Sequence, residues 1–575
     1  MNVSRVNVAD RLGPIARQMP KAVAVVHAVR GGYATCTFRE LDDDATALAR
    51  GLIELGVTPG MRLVLLVKPG VEFVKLVFAL LRCGAVTVLV DPGMGRKHLV
   101  NCLAAAEPEG FVAISAAQAV RTVMRRRLPR ARFNVTVGRR WFWGGTTYKQ
   151  VLRSGRESRA VLPTTGAQDA AAIIFTSGST GPPKGVLYTH EIFDTQASEI
   201  QRAYDLQPGG ADLACFALFG LFNSAMGVTT VFPEMHFSRP ASADPRKLLA
   251  AANAWKVTQA FASPAVWDNL SRQCERTGAR IGTLRRIFSC GAPVPAAVLK
   301  RTLAMVHPEA EMHTPYGATE ALPVATIEAR EVLGETAAKT NEGAGVCVGR
   351  RFDSIEWRVI RISDEPIGAM EDAEELGVGE IGELVVRGKQ VSPAYAVELR
   401  LASCELREGE TRSSKLETHN SIAKIRDGDA IWHRMGDVGY LDELGRFWYC
   451  GRKSHRVETK GGTLFTECVE AVFNQHPSVS RSALVEVGTP SSRIPVICIE
   501  PTSDYVDANG DWHSGNRAYE DLAAQLARIA SREFAQFPLK EILFHGGFPV
   551  DVRHNAKINR EALAEWVVVS SLLNK

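Results

Sequence analysis

The sequence predicts an α/β protein in which a large N-terminal unit of doubly wound α/β subdomains carries a small β-barrel-like unit and precedes a smaller α+β C-terminal domain. Three observations predict this architecture. Over residues 1–115, fully apolar strands alternate with amphipathic helices, which is the βαβ pattern of a parallel sheet covered by helices. The same alternation returns over residues 171–290. The chain of 575 residues is also long enough for several packed units of roughly 150 residues each.

The first elements follow in order from the spacing of the apolar residues. Residues 41–55 repeat apolar side chains on one helical face, and Gly56 is a natural end for that helix. Residues 63–67 form a short run typical of a strand, residues 71–81 a second helix, and residues 85–90 a second strand.

The pattern changes in the second half of the chain. Short strands with glycine turns over residues 355–391 predict the β-rich unit, which we place near residues 345–450. Residues 399–429 are charged and poor in apolar pattern, so we interpret them, and 405–429 above all, as a surface loop or insertion. We place the boundary between the two predicted domains, 1–453 and 454–575, before a final segment that mixes strands and helices.

Composition excludes several classes of protein. A formal net charge of +5 is small for this length and predicts no nucleic-acid partner. The eleven cysteines form no CxxC pair, which indicates reduced thiols in the cytoplasm. No secretory signal and no run of about 18 apolar residues is visible, so we expect no membrane span.

One basic cluster stands out from this balanced composition. It could dock an acidic lipid or a partner, but a solvated helix face is the more ordinary interpretation of such a run. Its members are Arg121, Arg125, Arg126, Arg127, Arg130 and Arg132.

The strongest local motif is IIFTSGSTGPPKG at residues 173–185. A buried strand leads into a loop whose glycines let the backbone approach an anion, whose hydroxyls donate hydrogen bonds, and whose lysine adds a point charge. No Ser or Thr follows the lysine, so this is not a Walker loop. The alternative is a flexible turn without a ligand. The predicted phosphate-binding residues are Thr176, Ser177, Gly178, Ser179, Thr180, Gly181 and Lys184.

This loop resembles the phosphate-binding signature of the acyl-adenylate-forming (AMP-binding) superfamily, which includes acyl-CoA synthetases, luciferases and peptide-synthetase adenylation domains. Further motifs match in the family's order: SCGAP at 289–293, YGATE at 316–320, Gly-Asp at 436–437, Gly-Arg at 451–452 and NAKINR at 555–560. The resemblance covers essentially the whole chain.

The resemblance implies ATP and Mg²⁺ as cofactors and assigns a role to each matching residue. Gly291, Ala292 and Pro293 form the adenine-contacting turn, and Tyr316, followed by Gly317, stacks on adenine. Thr319 contacts the α-phosphate and Glu320 binds Mg²⁺. Asp437 holds the ribose hydroxyls, and Arg452 lies near ribose and phosphate. Lys557 reaches the carboxylate and the α-phosphate from a C-terminal domain that turns about the hinge residue Ser454.

The chemistry of adenylation needs these residue types. Attack of a carboxylate on the α-phosphate brings two anions together, so Mg²⁺ at Glu320 and the ammonium group of Lys557 would neutralise charge in the transition state. We therefore expect Glu320, Thr319, Lys184 and Lys557 to be the catalytic residues.

Two departures from the family pattern bear on the second half-reaction. Glu458 stands where the family often keeps a lysine for thioester formation, although Lys460 is near. Residues 216–227 form an apolar run in which Phe219 replaces a histidine that many acyl-CoA synthetases carry. This run predicts a wall for a long alkyl chain made of Phe216, Phe219, Phe222 and Met226, with simple core packing as the alternative.

The segments YGATEALPVA, MGDVGYLD, FWYCGRKSHRVET and FPVDVRHNAKI are most similar to the β-lactone synthetases of olefin biosynthesis. This resemblance implies adenylation of a long-chain 2-alkyl-3-hydroxy acid, whose own 3-hydroxyl then displaces AMP to close a β-lactone without coenzyme A. Other olefin-pathway enzymes become candidate partners: a thiolase-like condensing enzyme, a reductase and a lactone decarboxylase. The alternatives are a long-chain fatty acyl-CoA ligase and a degenerate nucleotide-binding or scaffolding homologue.

Overall fold

The structure is a computed structural model. It describes residues 5–175, 183–218, 220–398, 419–489, 492–502, 517–537, 539, 541–550 and 558–573. Within these ranges, none of the helices is both long and apolar enough to cross a membrane.

The N-terminal α/β region contains the elements up to residue 341. Its strands are β1 (Val23–Val29), β2 (Gly32–Thr37), β3 (Arg62–Leu66), β4 (Val86–Leu89), β5 (Gly110–Ile114), β6 (Phe133–Val137), β7 (Thr146–Thr147), β8 (Ala170–Phe175), β9 (Lys184–Thr189), β10 (Ala211–Ala214), β11 (Thr229–Phe232), β12 (Gln259–Ala262), β13 (Arg286–Ser289), β14 (Glu311–His313), β15 (Tyr316–Ala318) and β16 (Ala321–Thr326). Its helices are α1 (Leu12–Gln18), α2 (Phe38–Glu54), α3 (Val71–Arg82), α4 (Arg96–Ala105), α5 (Ser115–Val123), α6 (Tyr148–Glu157), α7 (His190–Ala203), α8 (Gly220–Ala225), α9 (Pro245–Ala254), α10 (Pro264–Thr277), α11 (Ala296–Ala304), α12 (Ala329–Glu331) and α13 (Ala337–Asn341).

The N-terminal helices and strands fall close to their predicted positions. The helix predicted over 41–55 is α2, and it begins earlier than predicted because Thr37 and Glu40 form a capping box that satisfies its first N–H groups. Gly56, at a φ of 92°, follows that helix as predicted. The predicted strand and helix that follow are β3 and α3, and the predicted second strand is β4.

Two large sheets form the core of this region. The first has the order β14-β13-β12-β10-β11-β1-β2, with every neighbouring pair parallel except β1 and β2. The second extends from β9 through β8-β4-β3-β5-β6 to β7, and its strands from β8 onward are parallel. The predicted doubly wound α/β class is confirmed, since the parallel strands are joined by crossover helices.

The β-rich unit is an antiparallel sheet that also takes in β15 and β16. Its further strands are β17 (Val346–Arg351), β18 (Ile355–Ile360), β19 (Gly382–Gly388), β20 (Tyr395–Glu398), β21 (Lys424–Asp427), β22 (Ala430–Leu441) and β23 (Phe447–Arg452), of which β20 instead pairs with β9 at the edge of the second α/β sheet. The order is β15-β16-β17-β23-β22-β19-β18, with β21 paired to β22.

The expectation of a barrel-like unit is corrected by this order. Closure of a barrel requires the two outer strands to pair, and in the described residues the outer strands β15 and β18 lie at opposite ends of the sheet. The unit is therefore an open sheet.

The charged segment near 399–429 contains a strand. Residues 399–418 lie outside the described residues, but Lys424–Asp427 form strand β21, in which Lys424 and Ile425 are buried. The interpretation as a surface loop was wrong for 424–427, because a Gly428-Asp429 turn folds this strand onto β22.

The C-terminal region has its own small sheet and core. A hairpin, β24 (Val457–Thr459) and β25 (Gly462–Leu464), is followed by α14 (Thr466–Phe473), β26 (Val479–Thr489), β27 (Ser492–Pro501), α15 (Arg517–Glu533), β28 (Glu541–Phe544) and α16 (Arg560–Leu573). Strands β26 and β27 are antiparallel and β28 is parallel to β27. The α+β character is as predicted, and the boundary at 453/454 stays a prediction.

Candidate active site

A cavity of about 1260 Å³ lies where the two α/β sheets meet the antiparallel sheet. One part of its wall is polar and charged, and another part is apolar. Most of the described residues that the sequence predicted for the site line it: Lys184, Phe216, Phe222, Met226, Gly291, Tyr316, Gly317, Thr319, Glu320, Arg452 and Ser454.

Asp437 fixes the positions of two of these residues, Tyr316 and Arg452. It lies on β22 directly opposite Arg452 on β23, and the Nη1 atom of Arg452 is 3.0 Å from its Oδ1. The hydroxyl of Tyr316 donates a hydrogen bond to its Oδ2. Since Asp437 is only 5% exposed, its carboxylate fixes the Tyr316 ring and the Arg452 guanidinium at the cavity wall.

The charges of this group are consistent with these contacts. The Asp437 carboxylate raises the pKa of Arg452, so the guanidinium stays charged. Burial and the same carboxylate raise the pKa of Tyr316 well above its ordinary value, so the phenol keeps its proton and donates it. The predicted role of Asp437 toward a ribose stays a prediction.

Thr319 and Glu320 are the two residues of the tight turn that joins β15 to β16. The turn requires glycine at position 317, because a Cβ there would lie 2.6 Å from the carbonyl oxygen of Ala321. Tyr188, on β9, donates a hydrogen bond of 2.6 Å to the carbonyl oxygen of Thr319. The turn is thus fastened to the second α/β sheet with both of its residues on the cavity wall.

Tyr395 orients the Glu320 carboxylate. Its hydroxyl donates a 2.9 Å hydrogen bond to Oε1 of Glu320, and burial raises the pKa of Tyr395, so the donor proton is retained. Strand β20, which begins at Tyr395, pairs with β9, which begins at Lys184. This pairing places the Lys184 ammonium 5.1 Å from the centre of the Tyr395 ring.

Glu320, Tyr395 and Lys184 would suit a divalent cation that is bound jointly by the protein and by phosphates. Mg²⁺ is usually bound by one or two carboxylates plus substrate phosphates, and Glu320 is a carboxylate beside the Lys184 ammonium. Among the described residues, no cluster of three or more metal-ligating side chains occurs. A cation at Glu320 would therefore rely on a bound nucleotide for its other ligands.

Sequence reasoning missed Lys424, which is buried beneath Tyr395. Its Nζ donates a 2.5 Å hydrogen bond to the carbonyl oxygen of Ser392 and lies 5.8 Å from the centre of the Tyr395 ring. Burial lowers the pKa of Lys424 to about 7. The Gly428-Asp429 pair that forms the turn is a hairpin signal that could have revealed this strand.

The predicted adenine turn follows strand β13. Gly291 has a φ of 95°, a left-handed conformation that favours glycine, and lines the cavity. Ala292 is half-buried and Pro293 is exposed.

The apolar part of the wall contains the predicted chain-binding residues. Phe216 lies 6.3 Å from Phe261 between ring centres, and Phe222 lies 5.7 Å from Phe193. Phe222 and Met226 also belong to the main hydrophobic core. Phe222 and Met226 thus both pack in the core and line the cavity. Contact of these side chains with a substrate stays a prediction.

Asp212 is a second residue that sequence reasoning missed, and it lies in this apolar surrounding. It is 3% exposed, and its carboxylate accepts a 2.7 Å hydrogen bond from Nδ2 of Asn223. Burial raises the pKa of Asp212 to about 6. The sequence signal was a single acid inside the otherwise apolar strand β10.

The junction with the C-terminal region contains the predicted hinge. Ser454 is exposed in the short turn Lys453–His455 and lines the cavity. Glu458 lies on the surface hairpin, where it accepts a 2.9 Å hydrogen bond from Nε of Arg456. Lys460 is exposed on the same hairpin.

Arg560 anchors the start of the last helix. Its Nη1 and Nη2 donate hydrogen bonds of 2.6 and 3.0 Å to the two carboxylate oxygens of Glu470. Burial favours the neutral guanidinium, but the Glu470 carboxylate outweighs it, and the pKa of Arg560 is raised.

Several predicted residues lie outside the described residues, and their roles stay predictions. They are Thr176, Ser177, Gly178, Ser179, Thr180, Gly181, Phe219 and Lys557.

Comparison with known proteins adds three findings. A family described as AMP-binding enzyme matches residues 14–396. A protein of Xanthomonas campestris pv. campestris named olefin beta-lactone synthetase is 42% identical over 97% of this chain and 97% of its own. A protein of the same name from Stenotrophomonas maltophilia is 42% identical over 97% of this chain and 98% of its own.

Solved structures share the fold. The anthranilate CoA ligase AuaEII in complex with anthranoyl-AMP superposes with a TM-score of 0.74 at 18% identity, covering 99% of this chain and 98% of that one. A fatty acyl CoA synthetase of Mycobacterium tuberculosis gives a TM-score of 0.69 at 20% identity, covering 98% and 99%.

The buried acid predicts a pH-dependent effect on stability. The pKa of Asp212 is about 6 in the folded chain against an ordinary 3.8, so its buried charge costs stability above pH 6 and none below about pH 4. Two pKa units correspond to about 3 kcal/mol. We expect Asp212→Asn to raise the free energy of unfolding at pH 7 by up to about 3 kcal/mol and to leave it unchanged near pH 4.

Urea unfolding of both proteins at the two pH values measures this difference. Asp43→Asn, at an exposed position of α2, is the matched control and should change little at either pH. A gain for Asp212→Asn that is equal at pH 4 and pH 7 would show that the buried charge is not its cause.

Proposed function

We propose that this chain, which belongs to the AMP-binding enzyme family and is an adenylate-forming enzyme, activates a long-chain 2-alkyl-3-hydroxy fatty acid with ATP and closes it to a β-lactone. Membership of the family confirms the resemblance identified from the ordered motifs. Members of the family act on a carboxylic acid and use ATP, generally with a divalent metal. The choice of acid and the lactone step are our proposal for this chain.

The observation that carries the proposal is the division of one cavity into an ionic part and an apolar part. Lys184, Glu320 and Arg452 lie in the ionic part, which suits the phosphates of ATP and the acid's carboxylate. Phe222 and Met226 lie in the apolar part, which suits an alkyl chain. The name of the two relatives with 42% identity supports the lactone product.

In the first half-reaction, a carboxylate oxygen of the acid attacks the α-phosphorus, and the bond to pyrophosphate breaks. A divalent cation at Glu320 would supply positive charge to the phosphates there. Tyr395 holds the Glu320 carboxylate in orientation. Arg452, kept charged by Asp437, adds a fixed cation at the wall. We propose Lys557 as the cation that reaches the reacting carboxylate and α-phosphate.

In the second half-reaction, the 3-hydroxyl oxygen attacks the activated acyl carbon, the bond from that carbon to the AMP oxygen breaks, and the hydroxyl proton is released. Nucleophile and electrophile belong to one molecule, and well-oriented intramolecular reactions reach effective molarities of about 10⁵ M or more. The cavity wall then needs only to hold the substrate in the conformation that places its 3-hydroxyl beside the acyl carbon. A cation that serves coenzyme A is then unnecessary, which agrees with a carboxylate, Glu458, at that position.

We further propose that residues 454–575 move as a unit about Ser454. The turn Lys453–His455 follows the last strand of the antiparallel sheet and borders the cavity. Rotation there would carry Lys557 to the site and away from it.

Loss of the Tyr395 hydroxyl should weaken the action of Glu320. A hydrogen bond to a charged group contributes about 1.5–3 kcal/mol, so we expect Tyr395→Phe to lower the rate of ATP–pyrophosphate exchange by roughly 10- to 100-fold. We also expect it to require more Mg²⁺ for half-maximal exchange. Tyr440→Phe is the matched control, because the Tyr440 hydroxyl donates to the carbonyl oxygen of Ala344. An unchanged Mg²⁺ requirement in Tyr395→Phe would refute the orienting role.

Removal of Lys557 tests the adenylation step itself. We expect Lys557→Ala to lose about 10²–10³-fold or more of the exchange rate, as for other groups that stabilise transition-state charge, while its thermal unfolding remains that of the parent protein. Lys460→Ala removes another lysine of the C-terminal region and should leave exchange intact. Near-normal exchange in Lys557→Ala would exclude the assigned role.

The product decides between lactone synthesis and thioester synthesis. Purified protein is incubated with ATP, Mg²⁺ and a synthetic 2-alkyl-3-hydroxy fatty acid, with and without coenzyme A, and products are identified by NMR at room temperature. We expect β-lactone and AMP without coenzyme A. A 2-alkyl acid that lacks the hydroxyl should support pyrophosphate exchange but give no lactone. A thioester that forms only with coenzyme A would make the enzyme a fatty acyl-CoA ligase.

A further inference from the structure

We propose that the exposed surface of residues 120–142, which we call the basic–aromatic face, docks on an anionic lipid surface. The face lies around α5 and β6, near the end of the second α/β sheet that is opposite β9 and β20. The proposal concerns binding to lipid in the absence of ATP and substrate acid, so it does not depend on the proposed function.

The face is strongly and locally positive. Residues 96–149 contain eleven lysines and arginines but two acidic residues, while the whole chain has a net charge of only +5. The remainder of the chain is therefore net negative. One of the two acids, Glu107, lies 3.3 Å from Arg130, and the other, Glu109, accepts a hydrogen bond from the backbone N–H of Arg62. A large positive excess remains.

The arginines do not form the helix face that we expected from the sequence. Arg121 is the member of the cluster that lies on α5, and it is buried, with its Nε donating a 2.8 Å hydrogen bond to Oε1 of Gln118. Arg125, Arg126 and Arg127 instead form an exposed turn beyond the end of that helix. Their charges project from a compact turn rather than along a solvated helix.

Large apolar side chains are exposed beside these charges. Phe142 is 79% exposed, Trp141 is 60% exposed, and Val123 is 86% exposed. The aromatic pair is held in place, because Trp141 stacks on Trp143 at 6.2 Å and the indole N–H of Trp143 donates to Oγ1 of Thr136. Rigid aromatics displayed with arginines are typical of surfaces that insert into the interface of a bilayer.

The charged and aromatic parts lie close together. The hydroxyl of Ser115, at the start of α5, donates to the carbonyl oxygen of Arg139 in the loop that carries Trp141 and Phe142. The exposed arginine turn follows the other end of α5. A nine-residue helix is about 14 Å long, so both parts fit within the footprint of a small peripheral domain.

Apolar side chains lie between this face and the main cavity. A second cavity of about 100 Å³ lies between α4 and α5, and Val120 and Met124 line it. Leu66, Leu99 and Ala117 line both this cavity and the main one. An acidic protein or a nucleic acid would use the arginines, whereas a lipid phase would also accept the exposed Trp141, Phe142 and Val123, and the observations therefore favour lipid.

Vesicle binding tests the proposal with the intact chain. Sedimentation with vesicles of equal parts phosphatidylglycerol and phosphatidylcholine is compared with sedimentation with pure phosphatidylcholine. We expect binding to the anionic vesicles that weakens with added salt. Arg125→Ala/Arg126→Ala should reduce the partition constant about thirtyfold, and Trp141→Ser/Phe142→Ser should reduce it as well.

Matched variants test whether the effect is specific to this face and to its positive charge. Arg272→Ala/Arg276→Ala removes two exposed arginines of α10 and should bind like the parent, and Arg125→Lys/Arg126→Lys should retain binding. Equal binding to neutral and anionic vesicles, or no loss in either face variant, would overturn the proposal. Binding to polyglutamate without binding to vesicles would assign the face to an acidic protein and would overturn it too. The same variants are also assayed for ATP–pyrophosphate exchange with a soluble short-chain acid. This assay tests adenylation without any lipid surface, so a failure of lipid docking and a failure of the adenylation proposal give different results.

Discussion

The contact on which the site depends is the buried Asp437 carboxylate between Tyr316 and Arg452. It joins three strands of the antiparallel sheet, β15, β22 and β23, two of which lead directly into functional segments. From β15 the chain turns through Thr319 and Glu320, and from β23 it continues to the turn Lys453–His455, which contains Ser454, the hinge that we propose. A displacement of this carboxylate would therefore move the Thr319–Glu320 turn and the start of the C-terminal region together.

The rest of the ionic wall is assembled by pairing between segments far apart in the chain. Strands β9 and β20 bring Lys184 and Tyr395 together, and the backbone N–H of Ser392 donates to the carbonyl oxygen of Glu320. The buried ammonium of Lys424 completes this group of residues, because it donates a hydrogen bond to the carbonyl oxygen of Ser392. Because its pKa is lowered to about 7, this lysine adds less fixed charge than its residue type suggests, and an incoming phosphate would favour its protonated form.

Sequence reasoning was strongest where the signal is local. Periodicity located α2, β3, α3 and β4, and the YGATE motif led to a turn whose residues do line the cavity. It was weakest where function depends on partners distant in sequence. Nothing local distinguishes Tyr395 as the partner of Glu320, because that contact depends on the pairing of β20 with β9. For Asp212 and β21 the local signals, one acid in an apolar strand and a Gly-Asp turn, were present but weak, and burial or pairing with β22 gives them their meaning.

The clamp between Arg560 and Glu470 limits how catalysis can proceed. Lys557 is three residues from Arg560, and three extended residues span at most about 10 Å. Glu561, the residue after Arg560, has its carboxylate 3.9 Å from Nε2 of His455 in the turn that borders the cavity. The clamp thus holds the start of the last helix beside that turn. Under the role that we propose for Lys557, the ion pair with Glu470 is a positioning contact, because it sets the distance from which the lysine can act.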